Sequence, residues 1–131
     1  MTFSNPVPVA VALVPFEGKL IGIRRGIEPR KGLAALPGGY INSGETFCAA
    51  LSREVLEETG AQINEGSWKV FHVGDSVPSN RILIFGITTE APFVDLKFSG
   101  SETLEIVLID STTPLAFPLH EEVRNQYFRK S

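Results

Sequence analysis

Three of the eight residues in REVLEETG, Arg53 to Gly60, are glutamates: Glu54, Glu57 and Glu58. On a helix the spacings i, i+3 and i+4 share one face. Like charges placed so close cost about 0.2–0.5 kcal/mol per pair in an isolated helix. A cation that neutralises them reverses that cost. A hard divalent ion such as magnesium suits the task, because it prefers oxygen ligands and keeps several waters. The glycine-rich stretch GGYINSGE lies just upstream. Glycine there permits unusual backbone angles and close approach of a ligand, so the loop could add a backbone carbonyl and leave room for a phosphate. The plain alternative is a solvated, glutamate-rich helix surface.

The elements that would position these groups follow from periodicity. In TFCAALSREVLEETG the residues Phe47, Cys48, Leu51 and Val55 fall on one side at about 100° per residue, the mark of an amphipathic helix. Gly60 is placed to end it in the left-handed conformation. The glutamates lie on a flanking face. Before the helix, VPVAVALVPF reads as a strand over Pro8 to Pro15. EGK is a turn signal and LIGIRR a second strand, so the two are expected to form a hairpin. GIEPRKG is a loop, and LAALP a short extended piece. After the helix, SWKVFHVGDS and NRILIFGITTE read as strands joined through VPS. TLEIVLID reads as another strand, and a helix begins after Pro118 with Val123 and Tyr127 inward. No crossover helices separate the later strands, which disfavours a doubly wound dinucleotide fold.

Composition sets the outer bounds. A chain of 131 residues fits one domain with a real core. Its hydrophobic fraction of 43% and charged fraction of 21% are ordinary for a soluble globular protein. The net charge of −3 makes nucleic acid an unlikely partner. The N-terminus has no basic stretch, and its short apolar run is broken by prolines. Neither a signal peptide nor a membrane span is expected. A single cysteine, Cys48, allows no intrachain disulfide and agrees with a cytoplasmic protein.

The stretch from Gly39 to Ala61 resembles the signature of the Nudix hydrolases: glycine, five residues, glutamate, seven residues, Arg-Glu, an aliphatic, any residue, Glu-Glu, any residue, glycine and an aliphatic. Gly39, Glu45, Arg53, Glu54, Val55, Glu57, Glu58 and Gly60 match in identity and spacing, and only small Ala61 departs. The lead-in IEPRKGLAALPGGY is similar too, with Ala34 where a tryptophan is frequent. The resemblance implies a single Nudix domain over residues 1–131, an α/β fold of the α/β/α sandwich type around a mixed sheet. It also implies a hydrolase that cleaves a nucleoside diphosphate linked to some group X. The substrate would be a small nucleotide: ADP-ribose, another nucleotide sugar or a (deoxy)nucleoside triphosphate.

By the same resemblance Glu54, Glu57 and Glu58 ligate Mg2+ or Mn2+, and a carbonyl at Gly39 completes the shell. Arg53 pairs with Glu45, holding loop to helix, and Gly38 and Gly39 allow a tight turn. The general base is either a box glutamate such as Glu57 or a later one, Glu102 or Glu105. Arg24, Arg25, Arg30 and Lys31 either receive the outer phosphate or form a solvated basic edge. Trp68, Tyr40, Phe3 and Phe16 either stack on a base or belong to the core. His72 and His120 lack a metal-ligand spacing and are read as structural or surface residues, and Cys48 as core. Pro78 falls near, but slightly beyond, the place of a proline common in ADP-ribose pyrophosphatases of the family. Homodimers are frequent in the family, and APFVDLKF offers apolar area for one. The alternative from another class is a non-catalytic nucleotide-sensing module, although such modules usually carry a damaged box.

Overall fold

The computed structural model describes residues 5–76, 80–90 and 103–129. Phe3, Pro78, Glu102 and the APFVDLKF segment lie outside them. The first strand, β1 (Val7–Leu13), is followed by β2 (Pro15–Phe16), β3 (Lys19–Arg25), β4 (Ala34–Ala35) and β5 (Gly38–Tyr40). Helix α1 (Phe47–Thr59) comes next, then a 3-10 turn over Glu65–Ser67. Strands β6 (Trp68–Ser76), β7 (Arg81–Thr88) and β8 (Thr103–Ile109) precede the last helix, α2 (Pro118–Arg129).

These strands make two sheets. One has the order β5-β1-β7-β6, with β1 parallel to β7 and the other pairs antiparallel. The other is built on β3, which pairs antiparallel with β2, β4 and β8. The fold is therefore mixed α/β with a mixed sheet and two helices, as expected. The expected hairpin of the first two strands is a correction. β1 never pairs with β3; the chain crosses from one sheet to the other at Val14 and Pro15. Only the tip is a hairpin, Pro15↔Leu20 and Phe16↔Lys19 around Glu17 and Gly18, both at positive φ. The reason is burial. Ala10 to Leu13 are covered on both faces, and β1 is paired along both edges, by β5 on one side and by parallel β7 on the other, as suits a strand buried at the centre of its sheet.

Each sheet turns one face to each helix. Ala10, Ala12, Val14 and Ile21 join Ala50, Leu51 and Val55 of α1 in one cluster. Val11, Leu13, Leu20, Phe85 and Ile109 join Val123 of α2 in another, with Leu119, Tyr127 and Phe128 packed against it. The period-2 alternation of β1 thus feeds both cores. Close approach is needed where α1 crosses β7: a Cβ on Gly86 would meet Leu51 Cδ1 at 2.4 Å and Phe47 Cζ at 2.9 Å. Trp68 is buried in the α1-side core and donates to Ser52 Oγ at 2.9 Å, so it is not a stacking platform. Among the described residues no helix is long and apolar enough to cross a membrane.

Candidate active site

Helix α1 starts and stops on local chemistry. Thr46 is the N-cap, its hydroxyl accepting from Ala49 N–H at 3.1 Å. Gly60 ends the helix at φ 79°, its N–H bonded to Leu56 O. Burial of Leu51 and Val55 fixes the rotation of the helix, and this turns the glutamate face toward β5.

β5 is an edge strand, and the edge it leaves open is the one α1 reaches. Ala12 N–H donates to Pro37 O at 2.8 Å and Ile41 N–H to Pro8 O at 3.3 Å. Alternation along an antiparallel ladder then points the backbone groups of Gly38 and Tyr40 outward. Gly38 N–H donates to Glu58 Oε2 at 3.1 Å, and Tyr40 O accepts from Arg53 Nη2 at 3.1 Å. Two corrections follow. Gly38 and Gly39 are extended, and the positive-φ turn falls at Gly44 (φ 82°). The Gly39 carbonyl, expected to face a metal, points toward β1 by this register, and the outward carbonyl beside Glu58 is that of Gly38. What both positions require is space. A Cβ on Gly39 would sit 2.5 Å from Glu54 Oε1, and one on Gly38 would sit 2.4 Å from Ala10 O.

Arg53 is the hub. Its Nε and Nη2 donate to the two oxygens of Glu45 at 2.7 and 2.9 Å, a bidentate fork. Its Nη1 donates to Glu54 Oε1 at 2.7 Å and to Glu57 Oε1 at 3.3 Å. Glu45 also accepts from Asn42 N–H at 3.0 Å, which closes the loop onto the helix. The Arg53 fork and that amide hold the Glu45 carboxyl down at about 2, against an ordinary 4.5, and Glu45 in turn raises the Arg53 pKa. Glu58 is buried, the Glu54 side chain is only 15% exposed, and that of Glu57 is half exposed.

Glu45, Arg53, Glu54, Glu57 and Glu58 therefore gather at one edge, with Gly38, Gly39 and the Tyr40 carbonyl. Glu105 does not join them. On β8, Ile106 packs on the α1 side while Val107 belongs to the α2-side cluster, so alternation puts Glu105 with Val107, away from α1. It pairs there with Arg24, Nε to Oε1 2.5 Å, and Arg24 also donates to Gly32 O. Arg25 donates to Pro29 O at 2.8 Å and lies 5.0 Å over the Phe117 ring. Both arginines brace the loop after β3. Arg30 and Lys31 are exposed on it. Tyr40 is half exposed, and its hydroxyl accepts from Arg81 Nη2 at 2.6 Å. Arg81 escaped the sequence reading, since it joins Tyr40 only across β1.

Chemically the edge offers hard, anionic oxygen donors, the set a magnesium-like ion takes. Geometrically, among the described residues no three His, Cys, Asp or Glu side chains converge closely enough to hold a metal ion as they stand. Arg53 draws Glu45, Glu54 and Glu57 onto itself. Glu58 and the outward Gly38 backbone lie beside this arginine-held group, joined by the Gly38 N–H to Glu58 Oε2 contact.

A carboxylate-bearing helix closing the edge of a two-sheet α/β sandwich defines a class that comparison with known proteins names. The sequence model of the NUDIX domain matches residues 5–118, and the chain belongs to that family. It is 29% identical over 130 residues to an ADP-ribose pyrophosphatase of Methanocaldococcus jannaschii, covering 97% of this chain and 76% of that protein. In fold it is similar to a MutT NUDIX hydrolase from Burkholderia pseudomallei, with TM-score 0.81, 18% identity and coverage of 94% and 98% of the two chains. It is equally similar to the NUDIX domain of Shewanella oneidensis NrtR, solved with ADP ribose. There the TM-score is 0.81, the identity 15% and the coverage 98% and 90%.

Proposed function

We propose that this protein is a magnesium- or manganese-dependent pyrophosphohydrolase that cleaves a nucleoside diphosphate linked to X, with ADP-ribose as the first substrate to test. One observation carries the reading: Arg53 gathers three carboxylates at the open edge of β5, beside glycines that leave no room for side chains. The archaeal relative's name supports the choice of ADP-ribose.

In this reading Glu54, Glu57, Glu58 and the Gly38 carbonyl hold the ion. A bound divalent ion withdraws charge from the pyrophosphate and lowers the pKa of water. The chain's own residues do the rest. Arg53 and Glu45 fix the loop to the helix, so that the glutamates meet the β5 edge in one register. Glu57, the most exposed of the three, takes a proton from the attacking water. Glu105 is the less suited base, since Arg24 occupies it on the far face. Arg81 and Tyr40 stand on the surface next to the edge, where the remainder of a nucleotide would lie. Residues 1–131 act as one domain.

The test is release of AMP from ADP-ribose, against nucleotide sugars and (deoxy)nucleoside triphosphates, with and without Mg2+. Glu57→Gln should lower kcat by about 10²–10⁴-fold, the usual weight of a general base, with the fold unchanged by circular dichroism. The second reading, a nucleotide-sensing module without turnover, draws on the way Arg53 occupies the carboxylates here. ADP-ribose binding by calorimetry with no turnover of any substrate in the panel would establish it.

A further inference from the structure

His120 sits in the first turns of α2, buried, and shares no element with the glutamates. Its Nδ1 accepts from Leu36 N–H at 3.2 Å, across 84 residues of chain. Leu36 is itself 2% exposed, so no water can stand in for that acceptor. The imidazole is wedged edge-on against Phe85 and Phe117, with ring centroids 5.8 and 5.0 Å away, which fixes the direction in which Nδ1 points. The same stretch braces the strand ahead of Leu36: Ala116 N–H donates to Ala34 O at 2.7 Å.

Only Pro37 separates this anchor from Gly38 at the site, and neither residue has slack. Pro37 has its φ locked by its ring, and its carbonyl is held by Ala12 N–H. Gly38 lies so close to β1 that a Cβ there would strike Ala10 O. Its N–H holds Glu58, and its carbonyl faces out of the edge. Pro37 is thus the one link through which a displacement of Leu36 would reach Gly38.

We infer that His120 is a positioning residue: its Nδ1 pins the Leu36 amide and, through rigid Pro37, sets where the Gly38 backbone meets Glu58. This rests on the proposed function only for its effect on turnover. The pinning itself is a property of the fold.

The experiment compares His120→Leu, which keeps apolar bulk and removes the acceptor, with His120→Asn, whose Oδ1 stands the same number of bonds from the backbone as Nδ1. Amide hydrogen exchange is read at Leu36 and Gly38, with Val55 in α1 as the internal reference. Mn2+ affinity and the kcat and KM for ADP-ribose are measured alongside. In His120→Leu, exchange at Leu36 and Gly38 should rise roughly tenfold or more, the weight of one buried hydrogen bond, with Val55 unmoved. Mn2+ affinity and kcat should fall together, KM should hold, and His120→Asn should recover all three. Unchanged exchange at Leu36 and Gly38 overturns the inference, as does an equal rise at Val55, which marks general loosening. Asn failing to rescue a folded protein overturns it too. If the wild type turns over no nucleotide, the proposed function falls, and the exchange and Mn2+ arms still decide the role of His120.

Discussion

Arg53→Met is the sharpest probe of the site's architecture. The substitution keeps the aliphatic stem and removes the guanidinium, leaving the carboxylates of Glu45, Glu54 and Glu57 without the cation that they share. Stripping one partner from a buried ion pair costs about 3–5 kcal/mol, whereas an exposed pair is worth about 0–1 kcal/mol. Arg53 lies between these limits, with its side chain 29% exposed. Its bidentate contact with Glu45 and its bond to Glu54 are charge-assisted and short, and the Glu57 contact at 3.3 Å is the weakest and most exposed of the set. Discounting for that exposure gives a loss of about 2–3 kcal/mol in unfolding free energy. Urea denaturation reads it directly, as a midpoint lowered by about 1–2 M with unchanged slope. Arg53→Lys keeps the charge and loses the fork, so it should recover less than half of the deficit. A loss below about 0.5 kcal/mol would place Arg53 among ordinary surface ion pairs and refute the claim that it organises the edge.

Gly39→Ala and Gly38→Ala should part company. At Gly39 the new methyl meets the movable Glu54 carboxylate, so activity should collapse while the melting temperature shifts little; at Gly38 it meets Ala10 O, and the protein should be plainly destabilised. Thermal melts beside ADP-ribose turnover distinguish the two. Stability should also fall on acidification. Burial pushes His120 down to about 3 from 6.5, while Arg53 holds Glu45 and the Thr112 and Thr113 contacts hold Asp110 near 2. For each of these groups the unfolded chain binds the proton more readily. Their contribution is thus complete above about pH 6.5 and declines as pH drops, first through the His120 window and then, below about 4.5, through those of Glu45 and Asp110. The His120 part alone has a limiting slope of about 1.4 kcal/mol per pH unit, and His120→Leu should flatten it between pH 4 and 6 in a series of urea melts. Arg24→Met should leave kcat for ADP-ribose within about twofold of the wild type, because Arg24 touches only Glu105 and the Gly32 carbonyl on the far face; a fall of about tenfold or more would return Glu105 to the role of base.

Much of the helix bearing the glutamates was legible because its signals are local. Thr46, Gly60 and the spacing of Leu51 and Val55 lie within one short stretch, and each acts on its neighbours. The same holds for β6, β7, β8 and α2, where runs of β-branched residues or a proline mark the element. The hairpin expectation held only at its tip, because alternation along a strand states that it is buried, and says nothing of which strand buries it. Gly38, just ahead of the signature, and Gly39, which opens it, were misread for a related reason. Glycine serves both turns and tight approaches, and only the contacts with Ala10 O and Glu54 reveal the second.

The sequence by itself determined which groups stand close together along the chain: a helix with carboxylates at i, i+3 and i+4, one arginine beside them, and a glycine-rich stretch ahead of it. These follow from dihedral preference and side-chain period, which act over a few residues. Tertiary structure alone decided that β1 and β3 part into two sheets, that Arg24 claims Glu105, that Arg81 reaches Tyr40, and that His120 holds Leu36. Each of these joins residues far apart in the chain, and such pairs are selected by which surfaces bury one another when the two cores close.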